Sequence, residues 1–169
     1  GDWTFENVTA DWGIDTSTAG VSVQQAHAVI WVDIDDDGDL DLFVVRRIRL
    51  FDDGPGVQAL LAPALFVNDG EGRMVNGTQA AGLDVSGYWE GAAFGDLDGD
   101  GDLDLVILGG IDSAGNWHDH PGFGGTPGKL FRNTGGGVFE DLSSEWSCTG
   151  PDDSESWEVL ALDLDGDGD

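Results

Sequence analysis

The stretch DIDDDGDLDL occupies residues 33–42, and it returns almost unchanged as DLDGDGDLDL at residues 96–105. The same pattern begins a third time as DLDGDGD at residues 163–169. The copies start at positions 33, 96 and 163, so they are 63 and 67 residues apart. Carboxylates at alternate positions around a glycine can converge on one hard cation, and Ca²⁺ accepts about six to eight oxygen ligands. The sequence therefore predicts a tandem array of calcium-binding units.

Each acidic loop offers side-chain carboxylates and one backbone carbonyl as ligands. Gly38 and Gly101 allow the sharp turn that brings the carbonyl inward. In the first loop the predicted ligands are the side chains of Asp33, Asp35, Asp37 and Asp41 and the carbonyl of Asp39. In the second loop they are the side chains of Asp96, Asp98, Asp100 and Asp104 and the carbonyl of Asp102. The third loop offers the side chains of Asp163, Asp165 and Asp167 and the carbonyl of Asp169.

The alternative is an acidic turn that binds no metal, because Asp-Gly turns are common. Two complete copies at the same place in the repeat argue against it, and four unneutralised carboxylates would repel one another. Mg²⁺ fits less well than Ca²⁺, because it demands octahedral geometry and keeps its waters. The loop is not a helical EF-hand, because Val44 and Ile107 stand where that motif needs a bidentate Glu.

Apolar runs with β character flank the acidic loops. Residues 28–32 and 40–45 surround the first loop, residues 91–95 and 103–108 surround the second, and residues 159–162 precede the third. Short runs rich in Val, Ile and Phe and bounded by Gly and Asp are typical of buried strands. Each loop is therefore predicted to connect two strands.

A hairpin and a short closing segment complete each repeat. Residues 64–75 and 129–140 match as hairpins, with Asn and Gly supplying the positive φ that tight turns require. Residues 9–14, 78–83 and 143–148 align without gaps and close the repeat. Four short strands cannot bury both faces of their sheet alone, so neighbouring repeats must cover them.

Composition narrows the class of protein. The formal net charge is −28, from 34 acidic and 6 basic residues, so nucleic-acid binding is excluded by charge repulsion. No stretch approaches the roughly 20 apolar residues that span a bilayer, so we expect no membrane insertion. Seven Trp and eight Phe favour a packed fold over disorder. Calcium loops of this kind suit the millimolar calcium outside cells, so we expect an extracellular or cell-surface location.

Several weaker signals accompany the loops. Asn7-Val-Thr9 and Asn76-Gly-Thr78 match the N-glycosylation pattern, which makes Asn7 and Asn76 candidate acceptors. His118 and His120 could contribute to a ligand site, but the sequence places no third ligand beside them. We predict a core position for Trp12, in a repeated slot. The less regular Trp3 and Trp89 could be exposed and stack on glycans. The single Cys148 is predicted to be a small buried hydrophobe.

The recurring motifs resemble a known family. Alternating-Asp loops are followed by Leu-Asp-Leu, then by Leu-Phe-x-Asn-x-Gly at residues 65–70 and 130–135 and by Phe-x-Asp-Leu at residues 139–142. Together they resemble the FG-GAP/VCBS-type calcium-binding repeat. The resemblance implies blades of an integrin-α-like β-propeller, of the subgroup common in secreted and cell-surface bacterial proteins. The strict Phe-Gly signature of the family is partly present as Phe94-Gly95.

With this resemblance, the predicted fold class is all-β, with tandem four-stranded antiparallel repeats of the β-propeller-blade type, too few for a closed propeller. We divide the chain into the tail of a preceding repeat at residues 1–14, full repeats at 15–83 and 84–148, and an incomplete repeat at 149–169. The connectors 48–62 and 109–128 vary between repeats, and such connectors usually carry the particular function of a repeat protein.

The predicted function is a non-enzymatic extracellular calcium-binding module for adhesion or assembly, because the acids are accounted for as ligands. The alternative is a fragment of a propeller-based polysaccharide-active enzyme with catalytic groups on the variable connectors. Predicted partners are calcium, glycans and other copies of the chain. Placed after Asp169, the N-terminal Asp2 would supply the ninth-position carboxylate of the third loop, so copies could join head to tail into a filament. A chain that is one piece of a longer protein is the other interpretation of these ends.

Overall fold

A computed structural model describes residues 3–14, 24–48, 61–110, 126–146 and 159–161. This part of the chain forms eight strands and one short helix. The elements are β1 Gln24–Val32, β2 Asp41–Ile48, β3 Ala64–Asn68, β4 Met74–Asn76, β5 Trp89–Gly95, β6 Asp104–Gly109, β7 Lys129–Asn133, β8 Phe139–Asp141 and α1 Ser143–Trp146.

The strands form two four-stranded sheets, ordered β1-β2-β3-β4 in the first blade and β5-β6-β7-β8 in the second blade. Each strand pairs antiparallel with the next strand along the chain. Neither sheet closes into a barrel, and their form fits blade-like repeats. The predicted all-β class is therefore confirmed.

The two blades repeat the same register. The pairing of β1 with β2 ends at Val32 opposite Asp41. The pairing of β5 with β6 ends at the equivalent point, at Gly95 opposite Asp104. In each blade the register of the first strand pair shifts at the same place, around His27 in the first blade and Glu90 in the second. The acidic loops therefore begin and end at equivalent points, as the strand pattern predicted.

The main hydrophobic core lies between the two blades. Phe43 and Val45 of β2 pack in one cluster with Leu105 and Ile107 of β6. The rings of Phe43 and Phe94 meet edge to face, with centroids 5.3 Å apart and planes at 88°. Alternating apolar residues on neighbouring strands thus give each sheet a buried face, and aromatic contact adds to the attraction between blades.

A second, smaller cluster covers the opposite face of the first blade. Its buried side chains come from β2, β3 and β4 and are Leu42, Val44, Ala64, Phe66 and Met74. Ile14, from the segment 3–14, packs against them. On the same sheet, Val29 and Trp31 of β1 remain 55% and 49% exposed. The first blade is therefore covered more fully on the face toward the second blade than on the other face.

Two closing segments contact the following hairpin in the same way. The carbonyl of Trp12 accepts a hydrogen bond from the Met74 N–H at 2.7 Å, and the carbonyl of Ala81 accepts one from the Phe139 N–H at 2.9 Å. The glycine after each carbonyl, at 13 and at 82, has φ near 78°, and a Cβ there would lie 2.9 Å from a hairpin carbonyl oxygen. Only glycine suits such a position. The repeat boundaries drawn at residues 15, 84 and 149 stay predictions.

Candidate calcium sites

The acidic loops join β1 to β2 and β5 to β6; we call residues 33–41 loop 1 and residues 96–104 loop 2. In each loop three aspartates bring one carboxylate oxygen each within 4.8 Å of the others. These groups are Asp33, Asp35 and Asp37 in loop 1, and Asp96, Asp98 and Asp104 in loop 2. Both groups offer oxygen alone, which is the ligand type of hard divalent cations.

The turn inside each loop wraps around its first aspartate. Gly38 and Gly101 adopt φ of 92° and 97°, a left-handed conformation that favours glycine. The Gly38 N–H donates to Asp33 Oδ2 at 3.0 Å, and the Gly101 N–H donates to Asp96 Oδ2 at the same distance. The backbone of each loop is thereby folded toward its own carboxylates.

The last aspartate of each loop is buried and ties the loop to the hairpin. Asp41 accepts the Ile34 N–H at 2.9 Å and the Asn68 N–H at 2.8 Å. Asp104 makes the matching bonds to the Leu97 and Asn133 N–H groups, both at 2.9 Å. One carboxylate thus joins the start of the loop, the outgoing strand and the hairpin.

Burial raises the pKa of Asp41 and of Asp104 above the ordinary value, although both accept backbone hydrogen bonds that oppose this rise. The neighbouring loop carboxylates raise both pKa values further. The charged forms are therefore held at a cost in free energy, which a nearby cation would offset.

Asp35 provides the test of whether a cation fits loop 1. Its Oδ1 atom is buried and has no hydrogen-bond partner among the described residues. Burial, followed by the charge of Asp37, raises the pKa of Asp35. An unsatisfied buried polar atom costs roughly 1–3 kcal/mol, and more if it is charged. A cation held by the three oxygens of loop 1 would remove this cost, so the residues present fit a metal ion.

The predicted ligands do not all meet. Asp41 lies outside the group in loop 1, and Asp100 lies outside the group in loop 2. Asp104 belongs to the group in loop 2, although it accepts the same pair of backbone hydrogen bonds as Asp41. Asp39 and Asp102 donate their own N–H to the Oδ1 atoms of Asp37 and Asp100, each at 2.9 Å. The third loop, Asp2, Cys148, His118 and His120 lie outside the described residues. The full ligand set stays a prediction.

Two asparagines belong to the sites although the sequence analysis treated them as turn residues. The side-chain Nδ2 groups of Asn68 and Asn133 donate to Leu40 and Leu103 of their own loops, each at 3.3 Å. Asn133 also donates to the carbonyl of Ile34 in loop 1, at 3.0 Å. The recurrence of Leu-Phe-x-Asn at the end of a strand was the signal that could have identified them.

The candidate glycosylation sites have a role in the fold. Asn7 and Asn76 accept the N–H of the threonine two residues later, both at 3.1 Å. In the next copy Asp141 accepts the Ser143 N–H at 3.0 Å. The position therefore forms a turn with either an amide or a carboxylate, so the Asn-x-Thr pattern has a structural explanation. Glycosylation of Asn7 and Asn76 stays a prediction.

Two predictions about tryptophans were wrong. Trp89 is fully buried, and its Nε1 donates to the Val85 carbonyl at 3.1 Å, so it offers no surface to a glycan. Trp12 was expected in the core but is 41% exposed, and its backbone carbonyl accepts the hydrogen bond from Met74. Trp3 is exposed, as predicted.

Two successive antiparallel sheets, each with an acidic loop at the same end, define a tandem-repeat protein built from blade-like units. Residues 47–107 match the family model of the FG-GAP-like repeat, which supports the FG-GAP family for this part of the chain. The match runs from the end of β2 through the first hairpin and loop 2 into β6. No curated protein matches the chain significantly. Across the described residues, no helix combines the length and apolar character needed to cross a membrane.

Proposed function

We propose that this chain is a calcium-binding structural module, built from FG-GAP-type blades, of an extracellular or cell-surface protein. One observation carries the proposal. Two loops of nearly the same sequence, at the same end of two successive blades, each bring three carboxylate oxygens within 4.8 Å. Repeats of this family are generally structural or adhesive, which supports a binding role over a catalytic one.

The chemistry of the donors favours calcium. Both groups consist of carboxylates alone, and neither contains the His or Cys ligands that Zn²⁺ and Cu²⁺ prefer. Calcium accepts irregular sets of oxygen ligands, whereas Mg²⁺ needs a near-octahedral set. Backbone and water oxygens would complete the coordination, as they do in other calcium loops.

The proposed role of the ion is to stabilise the blades. Loop 1 is bonded through Asp41 to β2 and the first hairpin, and loop 2 is bonded through Asp104 to β6 and the second hairpin. An ion that binds the folded form alone stabilises it by about 2.7 kcal/mol at a concentration one hundred times its dissociation constant. A rigid array of blades is a suitable scaffold for adhesion to glycans or to other copies of the chain.

Isothermal titration of calcium into the chelator-treated protein tests this function. We expect Asp35→Asn/Asp37→Asn to remove binding at loop 1 and Asp98→Asn/Asp100→Asn to remove binding at loop 2. Each asparagine keeps an oxygen acceptor for the loop, so folding should be preserved.

The matched control is Glu71→Gln, which removes one exposed acid from the first hairpin, outside both loops. It should leave both the number of bound ions and their affinity unchanged. Equal weakening by Glu71→Gln and by the loop variants would show that calcium is attracted only by the overall negative charge. Magnesium titrated in place of calcium should bind more weakly to both loops.

A further inference from the structure

The hairpin of the second blade rests on loop 1 of the first blade. Asn133, the last residue of β7, is fully buried, and its Nδ2 donates to the Ile34 carbonyl at 3.0 Å. Ile34 lies between Asp33 and Asp35, two of the three carboxylates that converge in loop 1. A side chain from one blade is thus bonded to the backbone between the candidate ligands of the other.

Asn133 is held firmly on its own side. Its backbone N–H donates to Asp104 Oδ1 at 2.9 Å, and its Oδ1 accepts the Gly135 N–H at 3.0 Å. The Nδ2 group also donates to the Leu103 carbonyl at 3.3 Å. With the bond to Ile34, both the donor and the acceptor of this amide are satisfied, so its orientation is defined.

The hairpin also approaches loop 1 at Gly137. A Cβ at Gly137 would lie 3.4 Å from Ile34 Cγ2 and 3.5 Å from Asp35 Cβ, so the hairpin passes loop 1 with room for about one methyl group between them. In the first hairpin a Cβ added at the equivalent Gly72 would have no atom within 4 Å. Among the described residues, the side-chain amide of Asn68 donates only to its own loop. The contact to a foreign loop is therefore specific to Asn133 and its hairpin within the described part of the chain.

We propose that Asn133 is a positioning residue for the calcium site of loop 1, supplied by the neighbouring blade; this inference rests on the proposed function. The Ile34 N–H is bonded to Asp41 and the Ile34 carbonyl to Asn133, so both peptide groups beside Ile34 are fixed. The second of these peptide groups leads directly to Asp35. Its orientation helps to set where the half-buried Asp35 carboxylate lies. Groups that orient metal ligands in this way typically change metal affinity by about 10- to 100-fold when they are removed.

The test isolates loop 1 by silencing loop 2 with Asp98→Asn/Asp100→Asn. In this parent, Asn133→Ala should weaken calcium binding about tenfold, although the change lies in the other blade. The matched control is Asn68→Ala with loop 1 silenced by Asp35→Asn/Asp37→Asn. It should leave the calcium affinity of loop 2 unchanged, because the Asn68 side chain does not reach that loop. An unchanged affinity in the Asn133→Ala protein would overturn the inference.

A conservative variant separates positioning from charge. Asn133→Asp keeps the acceptor for Gly135 but loses the donor to Ile34, and it adds a negative charge that by itself attracts calcium. A lower affinity for loop 1 despite this charge supports positioning, whereas an equal or higher affinity contradicts it.

A measurement on the loop 2-silenced parent covers the case in which neither variant folds. The side-chain amide resonance of Asn133 should shift in a ¹H–¹⁵N spectrum as calcium fills loop 1. A resonance that does not move while calcium binds would overturn the inference. A parent that binds no calcium would instead reject calcium binding at loop 1, and a wild-type protein that binds none would reject the proposed function itself.

Discussion

The two blades have the same strand order, the same register and the same turn in their acidic loops, but they differ in what covers them. Ala92 and Phe94 of the second blade pack against the core between the blades. Their counterparts in the first blade, Val29 and Trp31, are exposed. The difference shows that a blade of this type has a defined face for its predecessor, and that the neighbour, not the local sequence, decides whether that face is buried.

The two hairpins also differ in how far they are buried by a neighbouring blade. In the second, Asn133 is fully buried and bonded to loop 1, whereas Asn68 in the first is only half-buried. The polar contact from Asn133 runs from a hairpin back to the loop of the preceding blade, beside the apolar core that the two blades share. A hairpin of the second blade therefore supports the acidic loop of the first. Three matched pairs of substitutions compare equivalent positions in the two blades.

The largest effect is expected at the buried aspartates. Asp41→Ala and Asp104→Ala each leave two backbone N–H groups without their acceptor. Removal of a buried charge offsets part of this cost, so we expect each variant to lose about 2–3 kcal/mol in the free energy of unfolding. Asp104→Ala should cost more, because it also releases Asn133 from its anchor. Urea unfolding in chelator measures both. A larger loss in Asp41→Ala would mean that the contact between blades contributes little.

A smaller effect is expected at the two faces. Phe94→Ala removes the ring that meets Phe43 in the core and should cost about 2 kcal/mol, less than for a fully buried ring. Trp31→Ala, the equivalent change on the exposed face, should cost less than about 1 kcal/mol. Urea unfolding compares them directly. Similar losses would indicate that Trp31 is covered in solution, and light scattering would then show whether another copy covers it.

The smallest effect concerns the turn that closes each repeat. Burial opposes ionisation of Asp141, but hydrogen bonds from Lys129 and Ser143 outweigh it and hold the pKa of Asp141 below its ordinary value of 3.8. A carboxyl with a lowered folded-state pKa stabilises the fold above its unfolded pKa and loses this contribution as pH falls through the folded value. Asparagine is the residue at the equivalent position 76. Asp141→Asn should therefore reduce the decrease in unfolding free energy that occurs as the pH falls below 3.8.

Thermal melting of the chelated protein across this acid range measures the effect. Asn76→Asp is the reciprocal control. Position 64, which corresponds to Lys129, holds alanine, so the new carboxylate gains no lysine partner. It should therefore add less acid sensitivity than Asp141 provides. Identical acid profiles for the wild type and Asp141→Asn would show that the contact with Lys129 contributes nothing to stability.

The strands and loops could be predicted from sequence because their signals are local. Alternating apolar residues, the Asp-Gly turn and the Asn-Gly hairpin each lie within a few residues. Each of the eight described strands overlaps a predicted run, although β1 begins at Gln24, four residues before its run. The contacts between parts that are distant in the sequence could not be predicted. Asn133 bonds to a carbonyl 99 residues away, and Trp89 is buried in the main core cluster whereas Trp12 is 41% exposed. The aspartates whose oxygens converge also differ between the two loops, although the loop sequences are nearly the same.

The separation of Ile34 and Asn133 along the chain has a consequence for biogenesis. A ribosome that adds roughly 5–20 residues per second needs about 5–20 s to make the 99 residues that separate the two groups. During this interval the nascent first blade holds its acidic turn with no amide donor on the Ile34 carbonyl. Completion of the hydrogen bonds around loop 1 thus lags synthesis of the first blade by about one repeat. The array is expected to mature in the direction of translation, with the newest unit always the least complete.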